Sequence, residues 1–188
     1  MKTVEATVSA LLIADDPKTF ATRRISEADL AFGGIPGDRH FGITCPSDSR
    51  QPMYARGTEI LNRRQITILS EEECCKIAAE LGIEVVLPEW LGANILLKGF
   101  PELTKITMGS RILFPNGVGL YCMGENQPCT LPGEVIQKQY DDVPHLAKEF
   151  VRAAFKRRGI VCAVESPGKI RQGDSVRILI NDFLNPMQ

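Results

Sequence analysis

Arg111-Ile112-Leu113-Phe114-Pro115-Asn116-Gly117-Val118-Gly119-Leu120-Tyr121-Cys122-Met123 decides the fold class. Asn-Gly between two apolar runs is a hairpin signal, because a tight two-residue turn needs positive φ at both central positions and these residues accept it. It pairs residues 111–114 with 118–123. Upstream, residues 103–108 read as a further short strand on the far side of Gly109. Downstream, residues 160–165 and 175–180 read as strands, with turns at Pro167-Gly168 and Gln172-Gly173-Asp174. Towards the N-terminus, residues 4–14 form a strand that becomes continuously apolar, and residues 19–32 a second strand region. Residues 65–69 and the run after Asn94 add two more.

Only two helices stand out. Ser70-Glu71-Glu72-Glu73 opens the first, with Ser70 as N-cap and Glu73 completing a capping box. Cys74, Ile77, Ala78 and Leu81 then recur at helical spacing and Gly82 stops it. The second spans residues 144–155, with an apolar face of Leu146, Phe150, Val151, Ala154 and Phe155. Eight or more short strands without strict alternation with helices predict a mainly β protein, a hairpin-rich β-barrel with a few helices packed around it. No repeat or linker divides residues 1–188, so one domain is expected.

A net charge of -1 gives no overall field for nucleic acid or an anionic membrane. No apolar run is long enough to span a bilayer. The early acid in Met1-Lys2-Thr3-Val4-Glu5-Ala6 makes a poor signal peptide, and a cytoplasmic location follows as the expectation. Cys74 and Cys75 are adjacent, and Cys122 and Cys162 fall in core-like runs, which argues against a disulfide framework. Without a C-x-x-C pair, a structural zinc site has little support.

Chemistry concentrates in two loops. Gly124-Glu125-Asn126-Gln127-Pro128-Cys129-Thr130-Leu131-Pro132 follows a strand and precedes a segment able to begin a helix. Its thiol is either a small buried filler or an accessible group whose thiolate would face free backbone N–H groups. Gly33-Gly34-Ile35-Pro36-Gly37-Asp38-Arg39-His40-Phe41-Gly42 delivers an acid, a base and an imidazole on a glycine-rich backbone, with glycines spaced wrongly for a phosphate loop. Residues 43–63 read as a long loop in which Arg50 and Arg56 are either solvated charges or anion ligands, and Cys45 is a rival loop thiol. Asn94, at the head of a strand, is placed to address a ligand or cap a turn. His145 reads as a surface residue.

Gly37-Asp38-Arg39-His40-Phe41-Gly42, Gly92-Ala93-Asn94-Ile95, Pro128-Cys129, Arg158-Gly159-Ile160-Val161 and Gly168-Lys169-Ile170-Arg171-Gln172-Gly173-Asp174 occur in the order found in the MOSC domain. The chain resembles a free-standing bacterial member of that family from about residue 4 to 180. The resemblance implies a β-barrel and a molybdopterin-type molybdenum cofactor. Cys129 would then be the molybdenum ligand in reduction of N-hydroxylated compounds, or act in sulfur transfer. The alternative it implies is a metal-free persulfide carrier for metal-sulfur cluster or cofactor assembly, or an interaction domain without catalysis. Implied partners are a sulfur donor such as a pyridoxal-phosphate cysteine desulfurase, or electron-transfer proteins; no pyridoxal phosphate site is seen in the chain. Asp38, His40 and Asn94 match the family's motifs, with Ala93 standing where a glutamate is usual. Arg39, Arg56 and Lys138 are the candidates for the pterin phosphate. Asp38, His40, Arg56 and Asn94 are expected to converge with Cys129 on one pocket.

Overall fold

The computed structural model describes residues 2–181. In chain order the elements are β1 (Lys2–Ile13), β2 (Arg23–Ile25), β3 (Glu27–Leu30), β4 (Thr44–Pro46), β5 (Glu59–Leu61), β6 (Ile66–Ser70), α1 (Glu71–Leu81), β7 (Ile95–Lys98), β8 (Arg111–Leu113), β9 (Gly119–Glu125), α2 (Thr130–Gln137), α3 (Leu146–Ala153), β10 (Ile160–Ser166), β11 (Gly168–Arg171) and β12 (Ser175–Ile180). Seven strands close a barrel in the order β1, β12, β8, β9, β10, β6, β7 and back to β1. Every contact around the ring is antiparallel except β6 with β7, which α1 connects as a crossover. The ring closes where β12 lies along the first half of β1, from Lys2↔Ile180 to Thr7↔Ser175.

The alternation along each strand sorts side chains into two cores. Val8, Leu11, Ile66, Ile68, Ile95, Leu97, Ile112, Leu120 and Ile178 fill the barrel. Ala10, Leu12, Leu69 and Leu96 point outward and are covered by Ile77 and Leu81 of α1, Ile136 of α2 and Phe150 of α3. A strand buried on both faces reads as an unbroken apolar run, which is why residues 10–14 lack alternation. Cys122 and Cys162 face each other across β9 and β10 inside the barrel, and all six thiols are free. Burial pushes Cys74 on α1 up to about 12.

The hairpin forms as its sequence dictates. Asn116 has φ 64 and Gly117 φ 81, and Phe114 N donates to Val118 O at 2.9 Å. Ser70 caps α1, its Oγ accepting from Glu73 N at 3.3 Å, and Gly82 ends the helix at φ 67. The capping box, however, is half made. Glu73 turns inward and accepts from Thr104 N at 3.0 Å and Thr104 Oγ1 at 2.7 Å, while Ser70 Oγ donates to Glu72.

Four other expectations change. Residues 103–108 are not a strand: Leu103–Lys105 is a 3₁₀ turn that buries Leu103 and Ile106 three residues apart and offers Thr104 to Glu73. Residues 19–32 divide, β2 joining β1 of the barrel and β3 pairing with β11 in a separate ribbon. Residues 43–63 are not a plain loop, because β4 and β5 pair into an outlying hairpin, from Thr44↔Leu61 to Pro46↔Glu59. Among the described residues there are three α-helices, since α2 forms directly after the Cys129 loop. Among the described residues, no helix is long and apolar enough to cross a membrane.

Candidate functional site

Cys129 is the N-cap of α2, extended at φ -135 and ψ 176, half-buried and without a side-chain capping bond. The first backbone N–H groups of α2 therefore have no side-chain cap, and that end of the helix carries the positive end of its dipole. Gly133 sets the helix down: a Cβ there would lie 2.7 Å from Ala147 O of α3, so only glycine lets the two helices approach so closely.

Two arginines stand with this thiol. Arg64 precedes β6 and Arg158 precedes β10, so each barrel strand delivers a guanidinium at its head. Arg64 Nη2 donates to Asn126 Oδ1 at 2.7 Å, and Asn126 N donates to Gly159 O at 2.9 Å, which ties the Cys129 loop to the turn carrying Arg158. Gly159 has φ 74, and a Cβ on it would sit 2.0 Å from Ile68 O. That position has no room for a side chain, and it sets where Arg158 begins. Arg158 is 4% exposed; its Nη2 donates to Leu91 O and its Nη1 is buried without a partner. Burial pushes Arg158 down to about 10, opposed by the Cys74 and Cys129 sulfurs. Burial also lowers Arg64, as does Arg50 nearby, while Asp48 and the sulfurs of Cys129 and Cys45 oppose the shift.

His40 completes the wall. Its Nδ1 lies 3.0 Å from Asp38 Oδ1, which leaves Nε2 unengaged by the carboxylate. Asp38 Oδ2 accepts from Ala14 N and from Asn94 Nδ2, each at 2.8 Å, and Asn94 Oδ1 accepts from Thr67 N at 2.9 Å. Burial alone would raise the Asp38 carboxyl, but the bonds from His40 and Ala14 outweigh it and hold the group below its ordinary value.

The cleft between these groups holds about 300 Å³ and is lined by His40, Cys45, Arg50, Arg64, Cys129 and Arg158, among others. His40 and Cys129 thus share one cavity. Asp38 and Asn94 do not line it; they stand behind His40 as a buried strut between β1, β6 and β7, with both ends of the Asn94 amide engaged there. Arg39 is exposed and donates to Thr19 O at 3.2 Å. Arg56 is exposed on the outlying hairpin, and Lys138 is exposed at the opposite end of α2 from Cys129. None of these three lines the cleft. Cys45 does, though burial and Asp48 raise its thiol, with Arg64 opposing. Arg64 and Asn126 carry no sequence signal of their own beyond a polar residue placed beside a buried strand, while Arg158 opens the Arg158-Gly159-Ile160-Val161 motif without being marked there as a site residue.

A family model described as MOSC domain matches residues 36–177. The chain is 52% identical over 177 residues to YuaD of Bacillus subtilis (strain 168), a match covering 94% of this chain and 92% of that protein. YuaD carries a name that provisionally assigns it to metal-sulfur cluster biosynthesis. The crystal structure of the Bacillus subtilis YUAD protein superposes with a TM-score of 0.94 at 51% identity, covering 96% of this chain and 99% of that one. YiiM from Geobacillus stearothermophilus shares the fold at 12% identity, with a TM-score of 0.64 over 97% of this chain and 79% of that one. The ordered motifs, the closed barrel and these matches lead to one conclusion: the chain belongs to the MOSC domain family.

Proposed function

We propose that this protein is a persulfide sulfur carrier in metal-sulfur cluster assembly, with Cys129 as the sulfur-bearing thiol. The observation that carries the reading is the setting of Cys129: a half-buried thiol at an uncapped helix start, in a small cleft with the buried Arg158 and the half-buried Arg64. Guanidinium and backbone N–H donors of this kind can hold the anion of a cysteine-bound sulfur by charge-assisted hydrogen bonds. The relative's name points the same way. The sulfur would come from a donor protein such as a cysteine desulfurase. The Cys129 thiolate attacks the outer sulfur of the donor's persulfide, the donor's S–S bond breaks, and the donor leaves as a thiolate. His40, oriented through Nδ1 by Asp38, can take the Cys129 proton at Nε2 before that step. A cytoplasmic setting suits a chain whose six cysteines are all free.

Binding of the molybdenum cofactor is a second reading, favoured by Arg64 and Arg158. These two would hold the pterin phosphate and Cys129 the metal; Arg39, Arg56 and Lys138 lie outside the cleft. When bound, that group supplies two-electron redox chemistry.

The test compares Cys129→Ser with Cys45→Ser, each first shown to melt like the wild type. Cyanide-releasable sulfur and bound molybdenum are measured after expression with a cofactor supply. The expected outcome is loss of releasable sulfur in Cys129→Ser, full retention in Cys45→Ser, and no metal in either. Loss only in Cys45→Ser would move the role to that thiol. Metal that disappears with Cys129 would establish the cofactor reading.

A further inference from the structure

Arg64 and Arg158 line the same cleft, yet among the described residues neither is hydrogen-bonded to a carboxylate. The nearby acids are committed elsewhere: Asp48 pairs with Arg50, and Asp38 with His40 and Asn94. Arg158 is left with a buried, unpartnered Nη1. A buried cation with an empty donor is costly unless an anion completes it. The guanidinium fork suits tetrahedral oxyanions, and the uncapped start of α2 adds backbone donors beside it. A cleft of about 300 Å³ is at the small end of ligand sites and takes a small anion with room to spare.

We propose that this cleft admits a small sulfur oxyanion of the thiosulfate class as a direct sulfur donor, its sulfonate oxygens on Arg158 and Arg64 and its sulfane sulfur presented to Cys129. The inference rests on the carrier reading and names a substrate for it. The Cys129 thiolate attacks the sulfane sulfur and a new S–S bond forms. The donor's S–S bond breaks, its electron pair leaving on the sulfonate sulfur as sulfite. Three negative charges enter and three remain, one on the Cys129 persulfide and two on sulfite. No outside oxidant, reductant or proton is needed. The two guanidiniums hold the oxygens on which the leaving charge gathers, which favours the step over attack in water.

Two measurements test this. Cys129→Ser protein, unable to react, is melted with thiosulfate, sulfate or phosphate against chloride at matched ionic strength. Wild-type protein is mixed with thiosulfate, and sulfite and the intact mass are followed. The expected result is a saturable rise in melting temperature with thiosulfate, at least tenfold weaker in Arg158→Lys and in Arg64→Lys. Wild type should also release stoichiometric sulfite and gain the mass of one sulfur atom at Cys129. If Arg158→Lys does not fold, the less buried Arg64→Lys decides. No stabilisation by thiosulfate, or no sulfite, overturns the proposal; so does stabilisation by phosphate without sulfite release. Loading from a cysteine desulfurase and L-cysteine is run in parallel. Loading there without sulfite from thiosulfate removes only the donor proposal, whereas loading from neither removes the carrier reading as well.

Discussion

Asp38 shows how one side chain serves both the fold and the cleft. It is buried, accepts from Ala14 N, His40 N, His40 Nδ1 and Asn94 Nδ2, and remains ionised because those donors outweigh the cost of burial. Its folded value lies below its unfolded one, so across that interval the unfolded chain binds more protons and stability rises with pH. The contribution is in place above about pH 4 and is lost as pH falls through the folded value. Asp38→Asn is expected to cost about 2–3 kcal/mol at neutral pH. It should also flatten the acid limb of a urea-unfolding series below about pH 4. An acid limb as steep as the wild type's would show that another carboxylate is responsible. Because Asp38 also fixes His40, the same variant should slow Cys129 loading near neutral pH more than a purely structural loss would.

Gly159 is the joint between an element and the site. Its N donates to Thr104 Oγ1 at 2.8 Å, its O accepts from Asn126 N, and its φ of 74 is one that a Cβ resists. Gly159→Ala drives a methyl against Ile68 O of β6, so it should cost about 4 kcal/mol or more, read as a large drop in urea midpoint. A loss below about 1 kcal/mol would mean that the β6–β10 seam yields easily. The local elements were legible in the sequence for local reasons. Asn116-Gly117 determines its own turn, and Ser70 with Gly82 bounds α1 whatever surrounds it. The misreadings are places where a distant partner decides. Glu73 leaves the capping box for Thr104, residues 103–108 curl to bury Leu103 and Ile106, and residues 23–30 are shared between two sheets. The site divides the same way. Cys129, Asp38 and His40 stood out by loop chemistry, whereas Arg64 and Arg158 are defined by what closes over them. Arg39, Arg56 and Lys138 were attractive as charges, but a charge alone does not say which way its loop faces.

Taken whole, the molecule is a ring of strands with a helical cover on one side, and the cleft is assembled from segments far apart in the chain. Its residues stand at the heads of β6 and β10, in the loops before β4 and α2, and in the outlying hairpin. No single segment could be lifted out with the chemistry intact. The ring closes where Lys2 pairs with Ile180, the contact that joins the two most distant parts of the described chain. Contacts of such long separation slow folding, because the intervening chain must be ordered before they repay its entropy. The same pairing makes the covalent order of the strands dispensable. A circularly permuted chain, with its old ends joined by a short flexible linker and new ends opened between exposed Asp141 and Asp142, would turn β12 and β1 into neighbours in sequence. Asp141 and Asp142 follow the end of α2 away from Cys129, so the permutant should load sulfur like the wild type. In stopped-flow experiments it should refold faster; refolding at the wild-type rate would mean that ring closure does not limit folding.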